Sequence, residues 1–445
     1  MSQADLTRED RKRSDDRFRV LQARRSHRQL RLLWLLVGPG LLVMLGENDG
    51  PSMLSYAATG ARYGEGFFVG FVLVTFLAAL VVQEMAVRVG AITHRGFGQL
   101  IRQRYGRFWG LFSSIDLQLT NLLTLITELI AVEVGLSFFG IPAPVGVALV
   151  VGLLLVAVTR GRYWTWERTA MSLAAFNLLF VVAAVLASSQ LHVLPSSASS
   201  WAPPIGNNPA GLVLFLAADL GATVTPWMVF FQQSAVVDKG LTPKDLTQGR
   251  VDTALGAFLA ALSACSVMVL TSVLHGHGGS LPRSASGTGF AWALEPVLGY
   301  PVAALFSIGL IESGLLAALT ITASSAYASG EAAGAAHSLN RSVREAPLFY
   351  AVNIGQLLLA AVVVLLPGAP LLAITLGVNV VATVLMPPTL VFLLLLSNDR
   401  ELMGRHANGP LGNTMALLVV IAVAASGTAY AVYSVLGLAL GGRLP

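Results

Sequence analysis

The sequence predicts an all-α, polytopic membrane protein of about 11 transmembrane helices, arranged as two inverted five-helix repeats plus one extra helix. Three observations predict it. The composition is too apolar for a soluble chain, apolar windows recur with charge alternating between their connections, and two of those windows are interrupted by helix breakers at matching places.

Of 445 residues, 55% are hydrophobic and 11% charged, and the mean hydropathy is +0.71. A soluble globular chain of this length carries roughly twice that share of charge, about 25%. Cys265 is the only cysteine, which excludes an intrachain disulfide and a thiolate metal cluster. The amino terminus is dense in Arg, Asp and Glu up to Arg31 and lacks an apolar core before a small-residue cleavage site, so it does not read as a signal peptide. Residues 1–30 read as a disordered, cytosolic basic tail, and 31–440 as a single transmembrane domain. Basic residues just before a first spanning helix record orientation, so no nucleic-acid partner is expected.

Windows of about 20 residues between turn and charge signals give spans near 32–60, 66–92, 110–138, 143–160, 167–189, 211–237, 251–274, 299–329, 346–366, 371–397 and 414–439. Residues 275–298 leave room for one further short helix. Repeat one covers about 31–189, repeat two about 211–397, and the extra helix about 414–439. Connections after spans two, four, six, eight and ten hold fourteen Lys and Arg between Arg95 and Arg405, whereas the opposite side holds only Arg62, Arg283 and Arg443. By the positive-inside rule the amino terminus lies inside and the carboxyl terminus outside, in a cytoplasmic (inner) membrane.

The first span breaks at Asp49-Gly50-Pro51 and the sixth at Thr225-Pro226-Trp227. Proline removes a backbone donor and clashes with the preceding turn, and each group left unsatisfied at membrane depth costs several kcal/mol. Such backbone survives around a polar cavity. Five spans separate the breaks, so the two halves run oppositely, the pattern of a transporter with its site at the repeat interface. Asp49 is the leading candidate residue. A carboxylate in the bilayer middle costs at least ~2.5–3.5 kcal/mol, so it should face a partner or an aqueous path. Arg31 and Arg62 sit at the ends of the span, which leaves a cation from outside the chain as the natural partner.

The stretches GPGLLVMLGENDGPSMLSYAATGA (38–61), GATVTPWMVFFQQSA (221–235) and VNVVATVLMPPTLVFLLLLSNDRELMG (378–404) resemble the first, sixth and tenth helices of the NRAMP family of divalent-metal transporters. The resemblance spans both repeats and implies the eleven-helix fold related to the amino-acid transporter LeuT. Two departures stand out. The family's Asp-Pro-Gly-Asn reads here as Asp49-Gly50-Pro51-Ser52, and its Met-Pro-His reads as Thr225-Pro226-Trp227. With the thioether gone, the candidate ligand atoms are all oxygens: the Asp49 carboxylate, the Ser52 and Thr225 hydroxyls, a freed carbonyl near Ala222, and the amides of Asn48, Gln232 and Asn379. Gly50 and Trp227 would line the site. Soft sulfur favours transition metals, whereas an oxygen set suits Mg2+ or Mn2+. In this the chain resembles the NRAMP-related magnesium transporter branch, which implies Mg2+ and Mn2+ transport by alternating access without obligatory proton coupling.

Glu47 stands two residues before Asp49, about 200° away on a continuous helix, so both reach one ion only if the segment unwinds. Otherwise Glu47 lines a vestibule. The family's proton route uses an acidic pair in the third helix; the best register places Glu128 on one acid and Leu125 on the other, and no His falls at the centre of a span. Glu84 and Arg88, four apart, predict an ion pair on one helical face. Asp219 and Glu312 either line the path or bind helices together. The alternatives are a proton-coupled Mn2+/Fe2+ transporter of the ordinary NRAMP type and a sodium-coupled amino-acid transporter of the same fold. An enzyme is not expected, since neither Gly-x-Ser-x-Gly nor His-Glu-x-x-His occurs, and no cofactor is implied.

Overall fold

The computed structural model describes residues 35–159, 162–188, 202–204, 209–275, 289–366 and 371–439, with 18 and 22. Apart from 18 and 22 the basic tail lies outside the described residues, as do His277 and the last six residues. Among the described residues every regular element is helical. Among the described residues nine helices are long and apolar enough to cross a membrane. The shorter Ala143–Val158 and the interrupted first segment complete the expected eleven.

The first segment forms α1 (Pro39–Gly46) and α2 (Gly50–Tyr63). Then follow α3 (Gly66–Thr93), the short α4 (Phe97–Tyr105), α5 (Arg107–Phe138) and α6 (Ala143–Val158). The fifth segment is α7 (Tyr163–Ala174) and α8 (Leu179–Ala187) joined by a 3-10 turn, Ala175–Leu178. Sequence reading expected one unbroken helix there. The sixth is α9 (Pro209–Gly221) and α10 (Pro226–Lys239). Beyond it come α11 (Leu246–Ser272), α12 (Gly289–Leu298), α13 (Tyr300–Ala333), α14 (Pro347–Val364), α15 (Leu371–Asn398), α16 (Arg400–Met403) and α17 (Pro410–Ala439). The short helix within 275–298 is thus α12.

The two breaks have local causes. Asp49 is extended (φ −72°, ψ 169°) and caps α2, its carboxylate accepting from the Ser52 N–H at 2.8 Å, with Pro51 in the first turn. Thr225 is likewise extended (φ −120°, ψ 153°), and Pro226 opens α10. At both breaks an extended polar residue followed by proline in the first turn restarts the helix, and Asp49 alone of the two caps it through its side chain.

Both half-helices of the first segment pack on α11, and α5 packs along α13. Glycine permits the first contact: a Cβ added at Gly256 of α11 would stand 2.8 Å from Leu41 Cα and 2.9 Å from Met44 Cβ. Without lipid-excluding hydrophobic attraction between helices, such close backbone approach supplies the packing. Large apolar side chains including Leu73, Leu77, Leu149, Leu153 and Val156 face outward, as a lipid-bounded surface requires.

The free end of α1 is tied by charge. The Asp252 carboxylate of α11 accepts from the backbone N–H groups of Gly38 (3.1 Å), Gly40 (2.7 Å) and Leu41 (3.2 Å). This satisfies donors that a helix start leaves unpaired and opposes the positive end of its dipole. Lys239, at the end of α10, donates to Val37 O at 2.6 Å and pairs with Glu167 of α7 at 2.8 Å. Elsewhere Glu84 and Arg88 form the expected pair at 3.1 Å, with Arg250 joining them at 2.7 Å. Gly256→Val should force α1 and α11 apart at an overpacking cost of about 1–3 kcal/mol. A thermal melt of the detergent-solubilised protein checks it, and an unchanged midpoint contradicts the packing described.

Candidate functional site

The breaks meet each other. Glu47, just past the end of α1, accepts from the Thr225 hydroxyl through both carboxylate oxygens, each at 3.0 Å. The unwound Glu47-Asn48-Asp49 segment brings Glu47 and Asp49 close enough to repel one another. Glu47 therefore belongs to the break and not to a vestibule. It is fully buried.

A third carboxylate arrives from α5. Glu128 accepts from the Gly50 N–H at 2.9 Å through Oε2 and makes a side-chain contact with Asp49. Glycine at 50 makes that approach possible, because a Cβ there would collide with the Ala131 methyl. Leu125, the other position of the expected acidic pair, is buried and apolar. Two carboxyl groups in contact need a proton or a cation between them, since bare like charges at this distance repel strongly in a low-dielectric interior.

The remaining candidates divide. Ser52 is buried next to Asp49, and its hydroxyl has no hydrogen-bond partner among the described residues. The Ala222 carbonyl, at the end of α9, accepts from Tyr56 OH at 3.2 Å, which in turn meets Thr223 Oγ1 at 3.1 Å. Asn379 of α15 donates to Pro51 O at 3.2 Å, so it touches the break through backbone. Asn48 turns its amide nitrogen to Asn177 Oδ1 and Ala260 O, both at 2.8 Å. Gln232 does not join the group. It lies two turns beyond Thr225, about 10 Å along the helix, and donates to Thr253 at 3.4 Å. Trp227 is fully buried in a tilted contact with Phe231 at 6.1 Å, and its Nε1 has no partner among the described residues.

Two expectations change here. Asp49 was expected to face a partner or an aqueous path; it is 1% exposed, with Ser52, Gly50 and Glu128 as neighbours, so in this conformation it faces partners and not a path. Three cavities of about 300, 400 and 480 Å3 lie away from it, one of them lined by Asp238, Tyr327, Glu331 and His337 at the ends of α10 and α13. The breaks are closed over in this conformation. Asp219, for which two roles were open, bonds Ser55 at 2.7 Å and Thr59 at 2.9 Å and so ties α9 to α2.

Among the described residues no three His, Cys, Asp or Glu side chains are arranged to hold an ion by themselves. An ion at the breaks would therefore draw on hydroxyl and carbonyl oxygens or retained water besides carboxylates. That arrangement suits a hard cation with an incomplete protein shell.

The chain resembles known proteins along most of its length. The family described as natural resistance-associated macrophage protein-like matches residues 40–433. The divalent metal cation transporter MntH of Aeromonas hydrophila is 25% identical over 406 residues, covering 87% of this chain and 93% of that protein. The protein of the same name from Mycobacterium tuberculosis is 28% identical over 302 residues, covering 64% of this chain and 68% of its own length. A crystal structure of the manganese transporter of Eremococcus coleocola superposes with a TM-score of 0.74 at 20% identity, covering 94% of this chain and 90% of the other. The chain belongs to the natural resistance-associated macrophage protein-like family and has its LeuT-related fold; it is a transporter and not an enzyme.

Thr225→Val keeps the side-chain shape and removes the donor to Glu47, leaving a buried carboxylate short of a partner at about 1–3 kcal/mol. A lowered melting temperature that Thr225→Ser restores is the expected outcome; equal stability in all three proteins contradicts the bridging role.

Proposed function

We propose that this family member carries divalent metal ions across the cytoplasmic (inner) membrane by alternating access, with Mg2+ and Mn2+ as cargo. The observation that carries the reading is the meeting of Glu47, Asp49 and Thr225 at the two helix breaks, with Glu128 beside them and every nearby polar group an oxygen acid, hydroxyl or amide. No imidazole or sulfur joins these contacts, so the donor set is hard throughout. Magnesium sheds water reluctantly and is usually held by one or two carboxylates with several waters retained, which matches a site of few direct ligands. Asp49 is the expected principal ligand, with Glu47 neutralising the second charge. Ser52, Thr225 and the Ala222 carbonyl supply further oxygens. The relatives are named as divalent metal cation transporters and the structural neighbour as a manganese transporter, and the loss of the methionine extends that preference toward magnesium.

The Lys and Arg asymmetry of the connections supports an amino terminus inside and a carboxyl terminus outside. Transport without obligatory proton coupling is supported by Leu125 and by the absence of a His from the break contacts.

The contact between Glu128 and Asp49 favours a second reading of the coupling. A proton shared by the two acids would leave as the metal arrives, as in a proton-coupled Mn2+/Fe2+ transporter. Uptake into liposomes with a pH dye inside decides between them. Under the first reading Mg2+ and Mn2+ enter, internal pH holds steady, and Asp49→Ala abolishes both fluxes. A pH change that tracks Mn2+ entry, with Mg2+ ignored, selects the second. Thr225→Met places a thioether at the break and should raise Cd2+ uptake relative to Mg2+ by about tenfold, the scale of a single ligand change. An indifferent Cd2+ flux removes the hard-ligand argument.

A further inference from the structure

A second polar cluster adjoins the break through Asn48. Asn177 sits in the 3-10 turn that interrupts the fifth segment and is fully buried. A 3-10 stretch in the middle of a helix often marks a functional hinge, and nothing in the surrounding apolar sequence demands one here. The Asn177 side chain is a relay. Its oxygen accepts from Asn48 Nδ2 at 2.8 Å, and its nitrogen donates to Glu312 Oε2 at 3.4 Å. Ser263 of α11 donates to its backbone carbonyl at 3.2 Å. Four segments thus converge on one asparagine.

The relay ends in two orphaned oxygens. Glu312 is 4% exposed, and its Oε1 has no partner among the described residues; Asn48 is 0% exposed, and its Oδ1 has none either. Among the described residues Asn177 is the side chain hydrogen-bonded to Glu312, and no ion pair with Lys, Arg or His reaches it. A bare carboxylate there would be among the most costly arrangements a membrane protein can hold, so the group either keeps a proton or exchanges it for a cation. Both orphaned atoms are hard acceptors.

We propose that Glu312, Asn177 and Asn48 form a second cation site, taking a monovalent alkali cation. A monovalent ion that displaces the Glu312 proton to solvent meets one formal negative charge and neutral amide oxygens, so the cluster stays neutral. A divalent ion would leave the cluster net positive at membrane depth and is better served by the two acids at the break. Asn48 stands between Glu47 and Asp49 in the chain, so an ion drawn against its amide oxygen fixes the backbone that carries both acids. Occupancy of the second site therefore sets the geometry of the one at the breaks. This coupling rests on the reading of the breaks as the metal site, whereas binding of the alkali ion does not.

The test is equilibrium binding of radioactive sodium, and of rubidium standing in for potassium, to the full chain in nanodiscs. Saturable binding of about one ion per chain, competed by unlabelled alkali ion and not by N-methylglucamine, is expected in the wild type. Asp49→Ala should retain it and Glu312→Gln should lose it. No saturable binding of either ion to the wild type overturns the proposal, whether or not Glu312→Gln folds. Binding that Glu312→Gln leaves intact in a folded protein overturns the assignment as well. Alkali binding in a protein that moves no divalent metal would sink the site at the breaks and leave this one standing; with both functions present, Mn2+ uptake should accelerate under an alkali-ion gradient in the wild type and not in Glu312→Gln.

Discussion

The hydroxyl of Thr225 bonded to both oxygens of Glu47 joins the two interrupted helices across the middle of the bundle. Neither residue could reach the other from an intact helix. Glu47 is delivered by the unwinding between α1 and α2, and Thr225 by its extended backbone ahead of Pro226. The prolines, the Asp49 cap and the glycine at position 50 are conditions for that meeting. Once the ladder of helical hydrogen bonds is interrupted at this depth, the released polar groups must find one another, because lipid offers nothing in exchange.

The same constraint explains why charge accumulates at the breaks. Glu47, Asp49 and Glu128 come from two segments and carry no basic residue among their contacts. Paired charges elsewhere in the molecule look different. Glu84 has Arg88 and Arg250, and Glu167 has Lys239, each within ordinary ion-pair distance. Of the acids with structural roles, Glu84 and Glu167 are matched by cations, Asp219 by hydroxyls and Asp252 by backbone N–H groups, whereas Glu128 and Glu312 each keep one carboxyl oxygen without a partner among the described residues.

Much of this was legible in the sequence wherever the determinant was local. Asp49-Gly50-Pro51 and Thr225-Pro226 announce their breaks through backbone chemistry, and the four-residue spacing of Glu84 and Arg88 announces a pair on one face. What depends on distant packing was not. Asp252 caps a helix more than two hundred positions earlier in the chain, and no short-range pattern marks it. The 3-10 turn at Asn177 hides in a run read as continuous because nothing in it breaks helices. Gln232 shows the opposite failure: it follows the sixth-segment break closely in sequence, but two helical turns carry it to Thr253. The burial of Asp49 was invisible for a related reason, since whether a path is open is a property of one conformation and not of composition.

The charged fastening of α1 has a consequence for how the bundle opens. Val37, Gly38, Gly40 and Leu41 are gripped at the tip of the half-helix by Lys239 and Asp252, whereas its other end hangs from an unwound tripeptide. A rod held by a clasp at one end and a soft joint at the other pivots as a unit when the clasp lets go. Water can substitute for each bond the clasp makes, so the swing exposes no unsatisfied amide and needs no melting of the helix. The amino-terminal half of the first segment is thereby built as a door whose latch is charged and whose hinge is the unwound Glu47-Asn48-Asp49 break.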